Sequence, residues 1–131
     1  MIRPLVLLAA LALAGPPALA ADIYPFDLPK KHPAAAAAWR KIVPKPYAHV
    51  GWVAKFAGVG TPMDAVTLDG KAFLAGNICK PHDCGGNFVA ILVAVDGSRA
   101  YGMLRSEALK AVDAPFGAPG PKEIAILKAR L

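Results

Sequence analysis

"KAFLAGNICKPHDCGGNFVAILVAV", residues 71 to 95, sets two apolar stretches on either side of a short polar insert. The second stretch, Phe88 to Val95, is apolar at every position, so neither an amphipathic helix nor a strand with one wet face accounts for it. Bounded by Gly85-Gly86 and Asp96-Gly97, it reads as a strand buried on both faces, the centre of a sheet. Working outward, Lys71 to Ile78 is its neighbour, and Asp69-Gly70 joins that strand to Ala65–Leu68. Each Asp-Gly pair suits the positive φ of a tight hairpin turn, which makes the strands it joins antiparallel. "HVGWVAKF", residues 49 to 56, and "RAYGMLR", residues 99 to 105, have the same β-branched and aromatic content. The sheet therefore has about five strands.

Helices flank it. Pro33 stands at a plausible first helical position, and the alanine-rich run to Val43 continues in strong helix formers. Pro44 and Pro46 stop that helix, because proline disfavours α geometry in the residue before it. Ser106 is placed to cap a short helix over residues 107 to 112, with Glu107 suited to its positive end. "DAPFGAPGP", residues 113 to 121, then reads as a loop, and Pro121 opens a C-terminal helix carrying Lys128 and Arg130 at its end. The fold class is α+β, one domain.

The N-terminus bears Arg3, an apolar run from Leu5 to Ala14, and the small-residue stretch Gly15 to Ala20. That run is too short to span a bilayer, and the pattern is that of a cleavable signal peptide, residues 1–20, cut after Ala20. The mature domain, residues 21–131, is long enough for one hydrophobic core. No second long apolar run follows, so no membrane attachment is expected once the leader is gone. Without Arg3 the chain has 14 basic and 9 acidic residues, net +5, but these are scattered rather than clustered among aromatics. Nucleic acid is a poor partner for such a surface.

Export gives the polar insert its chemistry. Cys79 and Cys84 are the only cysteines, and in an oxidising compartment they should form one disulfide. A ring this small contributes only about 2 kcal/mol to stability, so its use is local stiffness. Pro81 fixes one φ and biases Lys80 to an extended form, while Gly85-Gly86 lets the chain turn back into the next strand. Lys80, His82 and Asp83 should point outward. A redox role is weak, because the spacing is not Cys-x-x-Cys and no helix N-terminus is evident to lower a thiol pKa. Zinc held by Cys79, His82 and Cys84 would need a fourth ligand from far along the chain, and export favours oxidation over thiolate ligation; a serine hydrolase lacks its nucleophile motif. From the residues alone, a stapled hairpin tip with a merely solvated histidine stands beside a loop preorganised for insertion.

In context the sequence is more specific. "CKPHDCG" at 79–85, preceded by "PYAHVGWV" at 46–53 and "GVGTPMDAVTL" at 58–68 and followed by "GMLRS" at 102–106, closely resembles the Ivy family, periplasmic inhibitors of C-type lysozyme. The resemblance implies an antiparallel sheet flanked by helices, and a protruding disulfide loop that enters the lysozyme cleft. It places the inhibitory histidine on His82, the remaining loop residues on Lys80, Pro81 and Asp83, and the disulfide on Cys79 and Cys84. It implies a periplasmic inhibitor rather than an enzyme, with no cofactor and no metal, and leaves room for a homodimer. An alternative client for the same loop is the cell's own lytic transglycosylases, whose clefts also carry an acid carboxyl. Asp83 is expected either to orient the imidazole or to accept a backbone N–H inside the ring.

Overall fold

The computed structural model describes residues 22–131, so the signal peptide expected at 1–20 lies outside the described residues. Among them, β1 (Val59–Gly60), β2 (Asp64–Leu68), β3 (Lys71–Cys79), β4 (Asn87–Ala94), β5 (Ala100–Ser106) and β6 (Ala111–Phe116) form one antiparallel sheet. The order across it is β1-β3-β4-β5-β6, with β2 paired to the first half of β3 and β1 to its end. The central position of β4 explains its unbroken apolar run. Alternate residues serve opposite cores: Val89, Ile91 and Val93 face one, and Ala90, Leu92 and Ala94 face the other.

Helices cover both faces. α1 (Leu28–Lys31), α2 (Pro33–Ile42) and α3 (Gly51–Ala54) pack Leu28, Ala35, Ala36, Trp39, Trp52 and Val53 into the first core. α4 (Pro121–Lys128) closes the second core with Leu127. Both tryptophans are buried, as their aromatic bulk leads one to expect. Trp39 lies against Phe56 and edge-on to Phe116, and its indole N–H donates to the Val53 carbonyl at 2.8 Å. That bond satisfies the polar atom of an otherwise apolar cluster.

Two local expectations fail, and two more hold only in part. Residues 49 to 56 do not form a strand: Ala54 and Lys55 donate to the carbonyls of Val50 and Gly51, making the single turn α3. Trp52 and Val53 within the turn, and Phe56 just beyond it, converge on one core, so tertiary burial overrides their β propensity. Residues 107 to 112 do not form a helix either. Ser106 Oγ does accept from Leu109 N at 3.0 Å, as a cap would, but Lys110 takes φ +55 and ends the turn after one cycle. The chain returns as β6, which takes in the first half of the expected 113–121 loop; with β1, likewise unexpected, it brings the four expected strands that do form to six. Pairing satisfies the second edge of β5, and Pro115 is tolerated because β6 is itself an edge.

Of the two Asp-Gly pairs, Asp69 (φ +49) and Gly70 (φ +76) make the two-residue hairpin turn expected. The other sits in a five-residue connection, 95–99, where Ser98 N–H and Oγ both donate to the Asp96 carboxylate and Lys71 pairs with it at 2.9 Å. These bonds hold the Asp96 carboxyl well below the usual carboxylate range, the Ser98 hydroxyl first and Lys71 next. Gly97 is half-buried: a Cβ there would stand 2.6 Å from the Ala34 carbonyl oxygen of α2.

Candidate functional site

The end of the β3–β4 hairpin carries the insert. Cys79 is the last residue of β3 and pairs across to Phe88, after which residues 80–86 leave the sheet and return. Cys79 and Cys84 are joined, with their Cα atoms 4.9 Å apart. Both sulfurs are taken up in that bond, so neither is a thiolate, and no group of three ligating side chains occurs among the described residues.

Inside the ring, Asp83 N–H donates to the Lys80 carbonyl at 3.1 Å, closing a four-residue turn with Pro81 and His82 in the middle. Proline second and a positive φ third is the pattern of a type II turn, a place usually given to glycine or asparagine. His82 occupies it at φ +62. A left-handed backbone on a residue with a Cβ costs on the order of 1 kcal/mol, sustained here by the covalent ring. Its consequence is orientation, because the residue that reverses the chain at the tip also carries the imidazole. Pro81, His82 and Asp83 are exposed and Lys80 is partly so.

Lys80 and Asp83 sit 3.5 Å apart, so the Asp83 carboxylate faces the Lys80 ammonium. With side-chain exposures of 38% and 56%, that pair contributes at most about 1 kcal/mol. It does keep the lysine folded against the ring. Of the two glycines after the ring, only Gly86 is conformationally required: it takes φ +77, and a Cβ there would meet the Glu107 carboxyl at 2.9 Å. Gly85 meets no such contact.

Asn87 follows. It begins β4 and is only 1% exposed, a polar side chain at the head of an apolar strand. Its Nδ2 donates to the Asp83 carbonyl at 3.2 Å, while Oδ1 accepts from Ser106 Oγ at 2.7 Å and from Ala108 N–H at 3.1 Å. Ser106 is equally buried. Neither residue was singled out for the loop from sequence, although a lone amide interrupting the apolar pattern just after Gly-Gly is a signal for it. Beyond this network, Arg105 and Asp113 form a two-bond pair at 2.6 and 2.9 Å across β5 and β6. The hydrogen bonds from Arg105 hold the Asp113 carboxyl below its ordinary range and raise the guanidinium.

Comparison with known proteins reaches past the stretch on which the resemblance rests. A protein described as Inhibitor of vertebrate lysozyme, from Pseudomonas aeruginosa, is 38% identical over 52 residues, covering 40% of this chain and 34% of its own. An uncharacterised protein of Yersinia pestis is 30% identical over 111 residues, 77% of this chain and 72% of its own. A second Pseudomonas aeruginosa protein, also uncharacterised, is 33% identical over 85 residues, 65% of this chain and half of its own. The chain thus spans between a third and about three quarters of the curated relatives it matches. The model of the family described as Inhibitor of vertebrate lysozyme (Ivy) matches residues 34–130, taking in all six strands, α4, α2 beyond its first residue and most of both cores as well as the ring, and the chain belongs to that family.

Proposed function

We propose that the protein is an exported, non-catalytic inhibitor of C-type lysozyme that works by placing the 79–84 loop in the enzyme's cleft. The observation that carries the reading is an exposed histidine at the tip of a disulfide-closed turn, at the end of a rigid hairpin, in a chain of the Ivy family. A muramidase of the lysozyme kind cuts with two carboxyl groups about 5–5.5 Å apart, one protonated and one ionised. An imidazole has a nitrogen on either side of its ring and can hydrogen-bond both at once, filling the space the sugar needs. The ionised carboxylate favours the charged ring. Lys80, beside the tip, adds attraction at the rim.

Preorganisation supports the same reading. A loop already held in its bound form loses little entropy on insertion, and the ring, Pro81 and the i to i+3 bond between Lys80 and Asp83 all restrict it. Export through residues 1–20 to the periplasm, where such an enzyme attacks the wall, completes the proposal. The deciding experiment is a titration of purified protein into a lysozyme cell-wall-clearing assay. Dose-dependent loss of clearing is expected. If lysozyme is unaffected while a lytic transglycosylase is slowed, the client is the cell's own enzyme; if neither is slowed, the loop does not act as a cleft plug.

A further inference from the structure

We propose that Asn87 is a positioning residue for the inhibitory loop, with Ser106 as its anchor on the neighbouring strand; the inference deepens the cleft-plug reading and rests on it. The disulfide closes the ring on itself, but a closed ring can still swing about its attachment to the sheet. Cys79 is fixed in β3, paired with Val59 and Phe88, so the tilt of the rest of the ring is set by the bonds that leave residues 80–84. Among the described residues, those leaving residues 80–84 for the rest of the protein all end on Asn87: Lys80 N–H to the Asn87 carbonyl at 3.1 Å, Asn87 N–H to the Cys84 carbonyl at 3.3 Å, and Asn87 Nδ2 to the Asp83 carbonyl at 3.2 Å. The first two use the backbone and form with almost any residue. The third needs the side chain, and it grips the residue next to His82.

A tether is useful only if its other end is fixed. Asn87 Oδ1 accepts from Ser106 Oγ and from Ala108 N–H, and Ser106 Oγ in turn accepts from Leu109 N–H at 3.0 Å. One amide therefore ties the β3–β4 loop to the β5–β6 connection, and in the low dielectric of a buried site such bonds are strong. No buried side-chain N or O among the described residues lacks a partner. Because Asn87 is buried, a client does not touch it, so any effect on inhibition passes through the loop. A site whose supporting residues are loosened loses function before it loses its fold.

The test uses Asn87→Ala and Ser106→Ala, measured well below the unfolding midpoint of each, alone and combined with His82→Ala. Asn87→Ala should weaken inhibition of lysozyme about tenfold, and Ser106→Ala somewhat less. The combined variants should inhibit no worse than His82→Ala alone, since residues acting through one another are not additive. In the free protein, hydrogen exchange at the Lys80 and Asp83 amides should accelerate in Asn87→Ala while the middle of β3 and β4 keeps its protection. Unchanged exchange in the loop overturns the inference whatever the client is, because the ring then holds itself. Lower thermal stability with unchanged inhibition, or losses that multiply with His82→Ala, overturns it as well. If loop exchange accelerates but wild type inhibits no muramidase, the ordering role of Asn87 stands and the cleft-plug reading fails.

Discussion

His82 combines an exposed imidazole with a backbone conformation that most residues avoid. As a loop-tip side chain it contributes little to either core, so His82→Ala should leave the unfolding midpoint nearly unchanged. Binding is another matter. Removal of a desolvated, charge-assisted anchor from the centre of an interface costs about 2 to 4 kcal/mol, roughly 30- to 1000-fold in dissociation constant. Lys80→Ala, at the rim, should cost less and act mainly on the association rate at low ionic strength. Inhibition titrations and stopped-flow association of the two variants at fixed ionic strength check both; equal inhibition by wild type and His82→Ala would end the histidine-plug mechanism. The outward placement of Lys80, His82 and Asp83 was legible in the sequence, because a six-residue ring has no interior to hide them. The alignment of Asp83 with Lys80 was not, since side-chain direction in a turn depends on the φ of its neighbours.

At the level of elements, the hairpin and its staple have separable roles. The sheet rests on ladder bonds and two cores, whereas the ring constrains only residues 79–84. Cys79→Ala with Cys84→Ala should therefore stay folded, lose about 2 kcal/mol in denaturant unfolding, and inhibit more weakly because the loop is no longer preorganised. A double variant that fails to fold would show that the ring supports the sheet itself. The β5–β6 pair gives a prediction in pH. Arg105 lowers the Asp113 carboxyl, so this pair stabilises the native state above the unfolded carboxylate pKa of about 3.9 and its contribution fades as pH falls through the lower native value. Wild type should thus lose more stability than Asp113→Asn on acidification below about pH 5, in denaturant titrations of the two proteins in parallel. Parallel curves would show that the ion pair, though well formed, contributes nothing to folding.

Over the whole molecule, the features that local chemistry decides were present in the sequence. An eight-residue apolar run between turn residues has to be buried on both faces, and β4 is. Asp69-Gly70 prefers positive φ at two successive positions, which makes β2 and β3 an antiparallel hairpin wherever they sit. Pro33 and Pro44 bracket α2 for steric reasons that need no partner. Two cysteines five positions apart have only each other. Tertiary structure decided what depends on residues distant in the chain. Residues 51–54 coil into a turn because Trp52, Val53 and Phe56 share a core with Trp39, whose indole N–H needs the Val53 carbonyl. Residues 111–116 extend because β5 has a second edge to satisfy, and a cap of the kind Ser106 offers is too weak to outweigh a row of strand bonds. From its sequence neighbours, Asn87 is only a polar residue after two glycines. It becomes the tether of the loop because folding brings Ser106, 19 positions away, to within a hydrogen bond of it in a place that excludes water.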